Sequence, residues 1–219
     1  AGAVGRTFPL LGKLASVTVA VPYIHGDVSG DVFETRREVT RSGLGDARLR
    51  FAWHLYGNPA LPPAEFAKRK PSPLFGVSLS VVAPTGQYDP AKLINLGTNR
   101  WAFKPEIGLS QPLGNFDLEV AFGVWMFTAN DEFYGGKVRR QDPLRSSQAH
   151  VVYTFLPNLW FSADFTYYSG GVSTVGGQEK NDRQDNTRVG ATLAVPVGKQ
   201  QQVKLSWSKG AWVRIGQDF

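Results

Sequence analysis

Apolar and polar residues alternate with a period of two along nearly the whole of this 219-residue chain. In an extended strand successive side chains point to opposite faces, so the alternation gives each strand one apolar face and one polar face. Val17, Val19, Val21 and Tyr23 alternate with Ser16, Thr18 and Ala20; Leu49, Phe51, Trp53 and Leu55 alternate with Arg48, Arg50, Ala52 and His54. The same rhythm returns at Phe75 to Val81, Phe103 to Ser110 and Phe116 to Val124, then at His150 to Phe155, Leu159 to Thr166, Arg188 to Val195 and Val203 to Ser208. These segments predict an all-β fold of about ten strands.

The connections separate the possible all-β architectures. Short turns at Leu113-Gly114-Asn115, Pro157-Asn158 and Gly198-Lys199 alternate with long polar stretches at His25–Gly45, Gly86–Arg100, Ala129–Leu144 and Ser169–Thr187. A membrane-spanning barrel sorts its connections this way, with tight turns at the periplasmic end and long loops outside, whereas a Greek-key sandwich has no reason to do so. The Gly57–Pro73 connection is an exception, long and Pro-rich on the short-turn side. Aromatic residues gather near the expected strand ends, among them Tyr23, Tyr56, Phe75, Trp101, Phe116, Phe127, Phe155, Trp160, Phe161, Tyr167, Tyr168 and Trp212. Rings at the two lipid–water interfaces produce that distribution. The expected fold is therefore an antiparallel up-and-down transmembrane β-barrel forming a single domain over residues 1–219. Loop parity places both ends of the chain on the external side, while barrel termini normally lie in the periplasm. One further strand at each end is the expectation, giving about twelve in all, with Phe219 not the closing residue. Pro105 falls inside a strand and lacks a donor, which suggests a bulge there.

Composition agrees. The mean hydropathy of −0.21 conceals a membrane barrel well, because only alternate strand residues need be apolar. No apolar run approaches the roughly 18 residues of a transmembrane helix. With no Cys, there is neither a disulfide scaffold nor a thiolate metal site. The net charge of +6 raises the question of nucleic acid, but the basic residues are scattered, with Lys68-Arg69-Lys70 the one cluster. Nucleic-acid binding is not expected.

Three groups of residues resemble a known family. They are Pro84-Thr85-Gly86-Gln87-Tyr88-Asp89-Pro90; Leu93-Ile94-Asn95-Leu96-Gly97-Thr98-Asn99-Arg100-Trp101 with Lys104-Pro105-Glu106; and Arg41-Ser42-Gly43-Leu44-Gly45-Asp46. Phe127-Thr128-Ala129-Asn130 and Tyr167-Tyr168-Ser169-Gly170-Gly171 extend the likeness. The chain is similar to the outer-membrane proteins grouped as transporters of the MetA pathway of phenol degradation. That resemblance implies a barrel in the outer membrane of a Gram-negative bacterium and passive uptake of small, often aromatic or hydrophobic molecules. It supplies no catalytic residues. Members usually continue past the Arg214 to Phe219 region through another aromatic-rich strand.

Alternation also nominates a lumen-facing set: Arg48, Arg50, His54, Lys104, Glu106, Asp117, Glu119, His150, Asp164, Arg188 and Lys204. In hydrocarbon these charges are prohibitive, but in a lumen they pair or meet water. They form either a polar pathway for solutes or a salt-bridge network filling a narrow barrel, and the sequence leaves both open. The function expected is passive diffusion of small, hydrophobic or aromatic solutes; the alternative is an occluded structural or interaction barrel in an envelope assembly. A lateral route for hydrophobic solutes, invisible to ion current, is a variant of the first. An enzyme is not expected, since no GxSxG element accompanies the histidines; a hydrolase needs a serine within hydrogen-bond reach of His54 or His150. No cofactor or metal is expected: the three histidines are far apart, and Glu179, Asp182 and Asp185 read as a solvated acidic loop. Expected partners are membrane lipid, lipopolysaccharide and small solutes, with a homo-oligomer or an envelope protein left open.

Overall fold

A computed structural model describes residues 2–32, 35–62, 65, 68–197 and 201–215. The strands are β1 (Gly2–Leu10), β2 (Lys13–Val21), β3 (Tyr23–Val32), β4 (Thr35–Leu44), β5 (Ala47–Tyr56), β6 (Leu74–Ala83), β7 (Ala102–Leu113) and β8 (Phe116–Phe127). They continue with β9 (Asn130–Phe133), β10 (Lys137–Gln141), β11 (Leu144–Leu156), β12 (Leu159–Gly170), β13 (Ser173–Val175), β14 (Gln178–Glu179), β15 (Gln184–Val197) and β16 (Gln201–Trp212). Ten of them build one antiparallel wall in the order β1-β2-β5-β6-β7-β8-β11-β12-β15-β16. Each wall strand pairs with the next wall strand in sequence, which is the up-and-down arrangement the alternation implied.

Tight turns close one end of the wall. At Leu11-Gly12 both residues have positive φ, 49° and 72°, matching the twist of the hairpin they join. Gly114 and Asn158 occupy the same region at the β7–β8 and β11–β12 turns. The expected Gly198-Lys199 turn and Phe219 lie outside the described residues. The long Gly57–Pro73 connection folds back at this end: Leu14 N–H donates to the Asn58 carbonyl and Ala60 N–H to that of Gly12.

At the opposite end, the external one by the sorting of short turns and long connections, three of the four stretches expected to be loops carry strands of their own. β3 and β4 form a two-stranded hairpin between β2 and β5, and β14-β13-β10-β9 form a separate four-stranded sheet. These segments lack a clean period of two because no continuous core or lipid layer covers either face, so the hydrophobic pattern does not report them.

Burial runs inside out. Among the described residues only Ala15, Ala102, Leu144 and Ala194 are buried apolar side chains, whereas nine polar ones are buried, including Lys104, Asn130 and Ser146. Meanwhile Ile107, Phe122, Leu205 and Trp207 are each more than half exposed. In water such a surface would drive aggregation; in a bilayer it is the lipid-facing band. Pairing registers put these residues on a common face, with Phe122 opposite Ile107 and Leu205 opposite Leu193. Not every aromatic near a strand end belongs to that band. Phe127, Trp160 and Tyr168 lie in step with the polar face, opposite Ala102, Ala194 and Ser146 respectively.

Pro105 does not create a bulge. Its strand pairs with β6 in one register from Leu74↔Ser110 to Val82↔Ala102. On the β8 side the ladder passes from Phe103↔Met126 directly to Glu106↔Gly123, leaving Lys104 and Pro105 unpaired without a register shift. One missing donor is accommodated by a local gap, because slipping the register would turn every later side chain to the wrong face. A bulge does occur in β5, between His54 and Tyr56.

Candidate solute pathway and its external clasp

The registers place the whole predicted lumen set on the polar face. Glu106 is its centre. Its Oε2 lies 2.5 Å from Lys104 Nζ and accepts from Gln148 Nε2 at 3.5 Å, while Oε1 lies 3.6 Å from Arg50 Nη2 and accepts from Ser78 Oγ at 3.4 Å. Lys104 reaches this position by lying across Gly123: a Cβ there would sit 2.5 Å from Lys104 Cε. Lower on the wall, Glu119, His150 and Asp164 fall on one row through the pairs His150↔Glu119 and His150↔Asp164. His150 Nδ1 is 2.6 Å from Asp164 Oδ1. Arg188 bonds Ser208 Oγ, Lys204 sits 5.3 Å from the Trp160 ring, and Asp117 pairs across to Val152. Arg48 points into the same space as Arg50 and Lys104, a cavity of about 470 Å³. A second cavity of about 330 Å³ is bordered by His54, Glu106, Glu119 and His150. Arg48, Arg50, His54, Lys104, Glu106, Glu119 and His150 are therefore brought together around these two cavities, Arg188 with Asp164 borders a smaller space near β16, and Asp117 and Lys204 stand apart towards the tight-turn end.

The hydrolase geometry is not what the histidines show. His54 Nδ1 meets Asn58 Nδ2 at 3.2 Å, His150 Nδ1 meets Asp164 Oδ1, and Ser162 Oγ donates to both oxygens of Asp164 and not to His150. Among the described residues no three His, Asp or Glu side chains converge as a metal site would require.

The sequence elements quoted for the family resemblance meet at the external end. Asp46, nearly buried, accepts from Gly86 N–H at 2.9 Å and from both the N–H and hydroxyl of Thr98, at 2.8 and 2.7 Å. Gly86 and Gly97 touch backbone to backbone, and a Cβ on either would come within 2.8 Å of main-chain atoms. That contact explains both glycines. Thr85 Oγ1 accepts from Ala47 N–H, and Asn95 ties the loop to itself through Asp89 and Lys92. Asp89 is held below the ordinary carboxylate range, chiefly by its bond from Lys92. From β9, Asn130 donates to Tyr88 Oη and to the Thr98 carbonyl and accepts from Asn99.

Arg100 is the anchor of this clasp that the list of lumen residues omitted. It is buried, its guanidinium lies 4.3 Å from the Phe127 ring centre, and its Nη2 donates to Gln141 Oε1 of β10 at 2.5 Å. Burial, with the like charge of Arg139, lowers its pKa to about 10, against the opposing pull of Asp46. It remains charged at neutral pH. Asp46, Asn130, Arg139 and Gln141 were likewise not among the lumen residues. A signal existed for Trp125 and Phe127, which continue the inward parity of Asp117 and Glu119; none existed for Gln141, because β10 is not legible in the pattern.

A wall with an apolar exterior, a charged interior and sorted connections defines the class: the protein is an outer-membrane β-barrel. Its sequence matches the family model described as "Putative MetA-pathway of phenol degradation" over residues 5–214, and the chain belongs to that family. No curated protein matches it. Among solved structures, the crystal structure of the COG4313 outer membrane channel from Pseudomonas putida F1 has the same fold, with a TM-score of 0.82 at 20% identity. The alignment covers 99% of this chain and 77% of that one.

Proposed function

We propose that the protein is a channel for passive diffusion of small apolar or aromatic solutes across the outer membrane. The observation that carries this reading is open space on the inward face beside charges of both signs, centred on Glu106, Lys104 and Arg50. Mixed charges keep water and a weak local field in the pathway without strong selection by sign, and no energy coupling or cofactor enters the reading. The family description and the channel fold of the Pseudomonas protein support it. β1 and β16 stand at the two ends of the strand order, and both are exposed along most of their length. A strand edge cannot face hydrocarbon unpaired, so each of these two edges is paired in the membrane. On the outer face Arg145, beside Val124 at the external end of β11, meets lipopolysaccharide phosphate.

The test is single-channel conductance of purified full-length protein in planar bilayers, with and without a simple phenol. Discrete openings blocked by the phenol are expected. A folded barrel that stays silent, together with unchanged phenol uptake after deletion of the gene, would refute passage of any kind. A lateral route is favoured by one further observation. The gap in the β7–β8 ladder at Pro105 opens beside an outward-facing depression of about 370 Å³ lined by Ile107, Phe122, Val124 and Tyr167. In that case Pro105→Val lowers uptake and leaves ion current unchanged.

A further inference from the structure

We infer that Arg100 and Arg139 form an anion subsite at the external end of the lumen, fitted to the carboxylate of an aromatic acid. The inference rests on the channel reading and names a solute class for it. Arg100 is 9% exposed, and its Nη1 is shut off from solvent with no hydrogen-bond partner. Arg139 shares a face of β10 with Gln141, the residue that binds Arg100 Nη2, and its Nε is likewise buried without a partner. Neither arginine has a carboxylate within ion-pair distance among the described residues. Asp46 and Asp182, which act on them electrostatically, have oxygens already engaged: Asp46 by Gly86 and Thr98, Asp182 by the N–H and hydroxyl of Ser173.

Two like charges, each with an unused buried donor, are costly unless an acceptor serves both. Lys104, one step further into the lumen, has no such need because Glu106 neutralises it. A carboxylate offers two coplanar oxygens that match a guanidinium fork. The surroundings select what it is attached to. Phe127 lies 4.3 Å from the Arg100 guanidinium, Phe133 lies 5.6 Å from that of Arg139, and Trp125 follows Phe127 on the inward face of β8. A ring joined to the carboxylate therefore meets aromatic surface on its way into the lumen. Because Nη1 and Nε are closed to solvent, an anion would reach both only with a displacement of β10, and once bound it would link β10 to the wall.

The experiment titrates refolded full-length protein in detergent with benzoate, phenol and inorganic phosphate, followed by tryptophan fluorescence and calorimetry. Saturable benzoate binding is expected, at least tenfold tighter than phenol. Arg100→Gln and Arg139→Gln should each weaken benzoate tenfold or more, and Arg100→Lys less. Folding of every variant is verified by heat-modifiable gel mobility and circular dichroism, and Arg139→Gln serves if Arg100→Gln does not fold. Absence of saturable benzoate binding, or binding indifferent to both glutamine variants, overturns the subsite. Phosphate binding as tightly with the same arginine dependence overturns the aromatic-acid assignment. Conductance measured in parallel keeps the two readings apart. Benzoate binding in a silent barrel supports the subsite and counts against passage; conductance without benzoate binding refutes the subsite alone.

Discussion

Replacing Asp46 with alanine should release the external clasp while the wall stays folded. The carboxylate is 6% exposed and accepts three hydrogen bonds, at 2.9 Å from Gly86 N–H and at 2.8 and 2.7 Å from the amide and hydroxyl of Thr98. Hydrogen bonds to a charged group contribute about 1.5–3 kcal/mol each, and water entering the vacated space restores part of that. A net loss of about 3 kcal/mol for the clasp is the working figure. At about 1.4 kcal/mol per factor of ten, local opening becomes roughly a hundredfold more frequent. The assay is amide hydrogen exchange by mass spectrometry on peptides containing Gly86 and Thr98, with β8 and β11 peptides as the internal control. Asp46→Asn should fall between, because its one remaining oxygen serves Thr98 or Gly86 but its NH₂ confronts the other donor. Exchange at Gly86 and Thr98 within threefold of the unaltered protein, in a folded Asp46→Ala barrel, would refute the reasoning. So would loss of the wall together with the clasp.

Gly97→Ala should loosen the same loop by about 1–3 kcal/mol, since its Cβ would lie 2.7 Å from Gly86 main-chain atoms; trypsin cleavage at Lys92 should accelerate. Glu106→Gln removes the partner 2.5 Å from Lys104 and the charge 3.6 Å from Arg50. Reversal potentials in a salt gradient should move toward anion preference, with about 2 kcal/mol lost in stability; an unmoved potential would mean that Glu106 does not face the ion path. Burial opposes ionisation of Asp182, but the bonds from Ser173 and the charge of Arg139 outweigh it and hold its pKa below the usual carboxylate value. Its contribution is thus present above the unfolded carboxylate pKa of about 3.9 and lost as pH falls through the lower folded value. Exchange of the β13 amides should rise steeply below about pH 4, and Asp182→Asn should show the rise already at pH 7 and remove the pH dependence.

How much of this was legible in the residues differs by feature. Alternation is a property of each strand alone, so the wall strands, their two faces and the shared polar face of the residues from Arg48 to Lys204 could be read without knowing any contact. The bulge expected at Pro105 was not found, because the sequence shows the missing donor but not which neighbour would have needed it. The ladder to β6 runs through unbroken, and the vacancy falls entirely on the β8 side.

The external assembly was legible only as motif. Asp46 lies 40 residues from Gly86 and 52 from Thr98, and Arg100 lies 41 from Gln141. No periodicity links such positions. The residues concerned sit on short strands and loops whose faces are shared among polar neighbours, so neither lipid nor a packed core imposes a pattern on them. What the sequence by itself determined is which surface of each strand meets hydrocarbon and which meets the lumen, because one-dimensional alternation suffices to sort side chains between two environments. Only the tertiary structure decided that Glu106 gathers Lys104 and Arg50, and that buried Arg100 and half-buried Arg139 have no carboxylate within ion-pair distance among the described residues. Those facts depend on the stagger between neighbouring strands and on where the external sheet lands, and neither is written in any single segment.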